Sequence, residues 1–289
     1  MSTSPLTSQP PERLLSSASA GLIVHRAGQL RYEHRAAGRE FSARVTQHVN
    51  RAVGDAVTLL LFDEILGVRD RVHWLLHLRM PNDYQRLLHM ADHDDLFLRL
   101  IESDDAPEDT PGWDRAFVEG SYRETVMVPQ HGLTHDDDHD PRRTYLPPAA
   151  AQTGLPEGEL LHSGNAPVTI LRSAQVRYAD RNTSRAFAFE WSRQVNESLG
   201  GSATALLFEE NFGQQDRIHW MIHLDSLDTY RDLAELEARD PGMRRVFDKP
   251  RVPASRGGGS WASTFVDASI ADTVLVPFAA GAVPALAGG

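Results

Sequence analysis

Apolar residues fall into two periods along the chain, and the same succession of periods occurs twice. Leu22 to Tyr32 reads as a strand. Phe41, Val45 and Val49, spaced by four, put an apolar stripe on a helix from about Ala36 to Val53, with Gly54 where a left-handed cap would end it. The runs Val57 to Leu66 and Arg71 to Leu78 are strand-like, and the short polar turn at Gly67 makes them a hairpin. Pro81 suits the first turn of a second helix whose Tyr84, Leu87, Leu88 and Ala91 share a face, and Tyr122 to Pro129 closes the unit as a fourth strand.

The second occurrence is a copy. Asp70-Arg71-Val72-His73-Trp74-Leu75-Leu76-His77-Leu78 returns as Asp216-Arg217-Ile218-His219-Trp220-Met221-Ile222-His223-Leu224, an offset of 146. At that offset Arg26, Arg31-Tyr32, Phe41, Val49-Asn50, Phe62, Glu64 and Tyr84 also find their matches, and after the second helix the offset becomes 148, pairing Trp113 with Trp261 and Phe117 with Phe265. About two dozen identities over some eighty ungapped residues mean duplication and fusion, and so long a period excludes a solenoid.

Strand-helix-strand-strand-helix-strand, twice, predicts an α+β fold: two fused ferredoxin-like (βαββαβ) repeats packed sheet to sheet as a pseudo-dimeric α+β barrel. The expected boundaries are a disordered tail over 1–20, a first repeat over 21–130, a Pro- and Gly-containing linker over 131–164, a second repeat over 165–278 and a flexible end over 279–289. Two bare sheet faces turned toward each other would enclose a lumen.

Composition narrows the partners. The net charge of -11 argues against a phosphate-tracking surface and hence against nucleic acid, and no apolar run approaches the roughly 20 residues of a bilayer span. Cysteine is absent, so disulfides, thiolate nucleophiles and sulfur ligands are excluded. The start of the chain lacks a signal peptide's basic and apolar regions, which makes the cytoplasm the expected compartment. What remains is a small-molecule substrate and a chain that is its own pseudo-dimer, with a homodimer as the other assembly open to it.

On the third strand, alternation turns Val72, Trp74, Leu76 and Leu78 toward the helices and His73, Leu75 and His77 into the lumen, opposite His219, Met221 and His223. A hairpin centred between Val68 and Arg69 sets Glu64 across from His73, and Glu210 across from His219. A carboxylate beside an imidazole is what a general base needs, so His73, His77, Glu64, His219, His223 and Glu210 are the candidate catalytic residues, with buried cross-links between repeats as the other reading. Phe62, Leu75, Phe208 and Met221 are expected as apolar wall, and Arg31, Tyr32, Arg177 and Tyr178 as contacts for an anionic substrate group. The helical two-histidine zinc site is rejected, because four residues on a strand span about 13 Å. A transition metal (iron, copper, manganese or zinc) shared by His73, His219, Glu64 and Glu210 stays open beside the favoured cofactor-free reading. The acidic run His135 to Asp140 has no counterpart in the second copy and reads as a solvated loop.

The duplicated unit, with its His-Trp-x-x-His third strand, resembles the dimeric α+β barrel superfamily, and the whole chain is similar to an actinobacterial family of unknown function, DUF6039. The arginine-rich composition, with Lys249 the one lysine, agrees with a GC-rich genome. The resemblance implies an enzyme of actinomycete specialised metabolism or antibiotic biosynthesis: a monooxygenase or cyclase acting on an aromatic or polyketide-like substrate in the sheet-lined cavity, with a histidine often involved. By position that role falls on His73, His77, His219 and His223. A metal-dependent oxygenase or oxidase and a non-catalytic small-molecule binding protein are the alternatives.

Overall fold

The two hairpins predicted from alternation carry the architecture. In the computed structural model, which describes residues 6–7, 9–10, 13–102, 112–130 and 147–278, the first half holds strands β1 (Leu22–Gln29), β2 (Val57–Leu66), β3 (Arg71–Leu78) and β4 (Arg123–Pro129). Its helices are α1 (Arg35–Ala52), α2 (Pro81–His93), α3 (Asp95–Ile101) and the single turn α4 (Trp113–Ala116). A short helix α5 (Pro148–Gln152) precedes the second half, which repeats the series as β5 (Val168–Gln175), α6 (Arg181–Ser198), β6 (Ala203–Phe212), β7 (Arg217–Leu224), α7 (Asp228–Arg239), α8 (Pro241–Asp248), α9 (Trp261–Thr264) and β8 (Ala271–Pro277).

The eight strands form one closed antiparallel barrel in the order β1-β3-β2-β8-β5-β7-β6-β4. Face-to-face packing of two separate sheets was the expectation; instead the halves are hydrogen-bonded edge to edge, β2 to β8 and β4 to β6. Closure removes four strand edges that two separate sheets would leave unpaired. Repeated residues explain the repeated geometry. Asn50 at the end of α1 accepts from the Leu59 N–H at 2.7 Å and donates to the Leu59 carbonyl at 2.8 Å, and Asn196 makes the same pair of bonds to Ala205, tying each long helix to its strand.

Each half has an apolar layer between helices and sheet, one around Phe41, Trp74 and Phe117, the other around Phe187, Trp191 and Trp220. A third core fills the barrel. Phe62, Leu75, Phe208 and Met221, expected to wall an open chamber, pack with Ile23, Leu60, Leu206 and Leu275 and are all but inaccessible. Eight strands enclose an interior just wide enough for side chains to fill, and these large residues fill it.

The expected disordered tail is also corrected over its described part. Leu6, Leu15, Ser17 and Ala20 are buried, and Leu14-Leu15-Ser16-Ser17 is the counterpart, again at 146, of Leu160-Leu161-His162-Ser163 in the expected linker. Leu15 donates its N–H to Thr58 Oγ1 at 3.0 Å and Leu161 does the same to Thr204. The two segments thus plug one end of the barrel. Neither is long enough to show a hydrophobic period, so alternation passes over both. The acidic run at 135–140, the rest of the linker to 146 and the end from 279 lie outside the described residues.

Candidate functional site

The inward histidines form two sets at different depths. His77 and His223 lie at the plugged end and are satisfied reciprocally by the halves' leading segments. Ser163 Oγ donates to His77 Nε2 at 2.8 Å, whose Nδ1–H donates to the Thr58 carbonyl at 3.2 Å. Ser17 Oγ donates to His223 Nε2 at 2.7 Å, and His223 Nδ1 meets Thr169 Oγ1 at 3.1 Å. Each serine N–H in turn donates to the other serine's Oγ, at 2.9 and 3.1 Å. Burial pushes His77 down to about 4 and holds His223 well below its usual range, so both rings are neutral. The ring nitrogens of both histidines and both serine hydroxyls thus have partners inside packed protein.

At the hairpin end Glu64 does reach His73, with Oε2 2.9 Å from Nε2, although the register differs from expectation. Phe62, not Glu64, is directly opposite His73, because the turn centres one residue earlier; Glu64 reaches His73 diagonally. Gly67, at φ +136°, allows this: a Cβ there would collide with the Glu64 carboxylate, which also accepts from the Val68 N–H. The second half repeats the contact at 3.2 Å between Glu210 and His219. Burial raises the Glu64 carboxyl, but hydrogen bonds from His73 and Val68 outweigh it and hold the group below its ordinary value; Glu210 behaves alike with His219 and Gln214.

One member of this set was not singled out from the sequence. His25 on β1 stacks on His73, rings 5.1 Å apart, with its Nε2 2.8 Å from His73 Nδ1. For neutral rings, His73 donates to Glu64 and accepts from His25, giving a chain of three groups. Burial and the neighbouring His73 and His219 hold His25 well below its usual range. Leu171 stands at the corresponding place in the second half, so the chain there has two members. Glu64 contacts His73 and Glu210 contacts His219, and among the described residues no group of three or more His, Asp or Glu side chains is placed to hold a metal ion.

Arg31 and Arg177 bond backbone carbonyls at the strand ends. Each strand ends earlier than periodicity suggests, and Arg31 Nε donates to the Phe117 carbonyl at 3.0 Å as Arg177 does to Phe265 at 3.1 Å. Tyr32 and Tyr178 are exposed beside Arg35 and Arg181. Arg31 and Arg177 thereby tie the strand-to-helix connections to the segments at Phe117 and Phe265.

An apolar cavity of substrate size lies outside the barrel. Between the sheet and the helices of the first half is a space of about 420 Å³, within the size range of small-molecule sites, with Val45, Trp74, Leu87, Phe97 and Trp113 among its walls. At its edge Arg26 donates to Glu124 at 2.6 Å and to the Tyr84 hydroxyl at 3.0 Å, and Tyr84 donates to Glu124 at 3.0 Å. Burial, aided by Glu124 and Tyr84, pushes the Tyr122 phenol up to about 12 despite Arg26, so it stays protonated and able to donate. Trp74 is 3% exposed, and its indole N–H is buried without an acceptor among the described residues. The equivalent Trp220 N–H has one, the Ala188 carbonyl at 3.3 Å.

The equivalent space in the second half is about 180 Å³. Trp191 stands where the first half has Val45, Phe247 where it has Ile101, and Glu237 where it has Ala91. Val45 and Trp191 fall at matching positions of the helix stripes, but a search of the repeats for identities draws nothing from their difference in size. The size differences between matched core residues were the available signal.

The DUF6039 family, a family of unknown function, matches residues 2–283, and the chain belongs to it. No curated protein matches. Among solved structures, a protein of Lactobacillus acidophilus NCFM assigned as a monooxygenase is 8% identical, with 89% of this chain and 93% of that one superposed at a TM-score of 0.51. A second, from Fusobacterium nucleatum subsp. nucleatum and also assigned as a monooxygenase, is 7% identical over 90% and 94%, at 0.52. An anthrone oxidase-like protein is 9% identical over 92% and 94%, at 0.49. At these identities the likeness is one of fold, that of the dimeric α+β barrel proteins. Among the described residues no helix is long and apolar enough to cross a membrane.

Proposed function

We propose that this DUF6039 protein is a small-molecule enzyme of the oxygenase type with a single substrate site, the cavity between sheet and helices of the first half. The observation that carries the reading is the asymmetry: one duplicate keeps about 420 Å³ open behind aromatic walls, while the other spends a tryptophan on the same space. The open space forgoes the side-chain packing that the second half gains from its tryptophan, so keeping it in a single half needs a reason. An aromatic occupant supplies it. The monooxygenase assignments of proteins with the same fold support the reaction class, and fold by itself does not determine it.

In this reading the chain is a duplicated and fused ferredoxin-like unit, with repeats over 21–130 and 165–278, working in the cytoplasm in specialised metabolism. The site therefore moves from the lumen of the sequence reading to the opposite face of the same sheet, and the Glu-His pairs hold the barrel end together. The reaction is assigned to substrate and dioxygen without a resident cofactor. A full equivalent of a transition metal in protein purified without a metal-affinity tag would overturn that part.

The test is a panel of uncharged aromatic phenols and ketones of two and three rings, followed by calorimetry for binding and by an oxygen electrode for turnover. Binding in the micromolar range is expected, with at least a hundredfold loss in Val45→Trp and oxygen uptake by the wild type only. Stoichiometric binding that returns the ligand unchanged would make the chain a binding protein. Unaltered binding by Val45→Trp would remove the cavity from the account.

A further inference from the structure

The second half shows, with its own side chains, what the first half leaves room for. The Trp191 indole occupies the space opposite Val45's position, edge to face with Trp220 at 5.5 Å and beneath the Arg172 guanidinium at 5.1 Å. Beside it the Glu237 carboxylate accepts from Arg172 Nη1 and, at 3.1 Å, from the indole N–H of Trp191. Arg172 therefore meets two carboxylates, since Asp272 also accepts from its Nε at 2.7 Å.

Arg26 is the counterpart of Arg172 and Glu124 that of Asp272, but Ala91 replaces Glu237. Among the described residues Arg26 has one carboxylate and borders the open cavity. Both the ring and the second carboxylate of the second half are thus missing at once, from neighbouring positions, on the same side of a conserved Arg-Trp pair. Arg26, with one carboxylate where Arg172 has two, therefore borders an open, aromatic-walled space.

Building on the site assignment above, we propose that the first-half cavity takes a planar aromatic anion, its rings where Trp191 sits in the other half and its carboxylate or acidic enol oxygen on Arg26, where Glu237 meets Arg172. A charge-assisted bond to a partly desolvated guanidinium is roughly twice as strong as a neutral one, so charge sets the preference.

The test uses 2-naphthoate and its uncharged analogue 2-naphthylmethanol in calorimetric titrations at low salt. The wild type is expected to bind the acid at least tenfold more tightly than the alcohol. Ala91→Glu, which installs the second half's carboxylate, should abolish that preference by weakening the acid at least tenfold while the alcohol changes less than threefold. Arg26→Gln should do the same without adding bulk, which keeps the test decisive if Ala91→Glu lowers the melting temperature. Equal binding of acid and alcohol by the wild type, or a preference that survives Ala91→Glu or Arg26→Gln, overturns the proposal and leaves the cavity assignment standing. Binding of neither probe also overturns it, and the uncharged panel then decides whether the cavity assignment falls with it.

Discussion

The two halves differ most where they face their helices and least where they face each other. Inside the barrel the Ser17–His223 and Ser163–His77 bonds agree in length to within about 0.1 Å. Outside it, Val45 against Trp191 and Ala91 against Glu237 turn one interlayer space into a cavity and the other into a core. The shared interior keeps its serine-histidine and glutamate-histidine contacts in both copies, because both contribute to it, with His25 against Leu171 as a difference inside it. Each outer layer belongs to one copy alone and is free to diverge.

Exchanging the outer layers should expose the difference most strongly. Trp191→Ala removes a side chain that is 1% exposed and donates to Glu237, and should cost about 3–5 kcal/mol in a denaturant titration. Val45→Ala enlarges a space that is already open and should cost no more than about 1 kcal/mol. Equal losses would mean that the first-half cavity closes in solution.

The hairpin ends should differ less. His73→Ala strands a Glu64 side chain that is 3% exposed and removes the partner of His25; a loss of about 3 kcal/mol follows, with activity per folded molecule unchanged. His219→Ala breaks one pair only and should cost less. Loss of turnover with full stability in His73→Ala would return the chemistry to the barrel interior.

The clasp should respond to acid, and alike in both halves. Folded His77 stays neutral down to about pH 4, whereas the unfolded chain takes up that proton near its ordinary value of 6.5. Between those values the unfolded state binds more protons, so the contribution is complete above pH 6.5 and is lost as pH falls toward 4, by about 2 kcal/mol at pH 5. Chemical denaturation at pH 5 and 7 measures it. Proton resonances of His77 or His223 titrating near 6.5 in the folded protein would contradict the buried geometry.

Most of the frame was legible because it rests on period and repetition. The alternation over Arg71–Leu78 gave the inner and outer faces correctly, and the matched Gly67 and Gly213 marked both hairpins. Contacts that depend on a single step of register were not legible: Phe62 opposite His73 follows from where the turn centres. Nor were contacts made by short segments outside any period, such as Ser17 on His223 across 206 positions of chain. His25 was hidden because its copy is a leucine, and the cavity because it consists of what one copy lacks.

Barrel closure also sets a timetable for synthesis. Strand β2 is bonded along one edge to β3, but its other edge waits for β8, which begins at Ala271. Roughly 200 residues separate them, which at a translation rate of about 5–20 residues per second leaves that edge open for about 10–40 s. The β4 edge waits a shorter time, for β6. A nascent first half thus presents two unpaired edges and an unplugged apolar interior to its neighbours on the same messenger, where a second nascent copy is the nearest available complement.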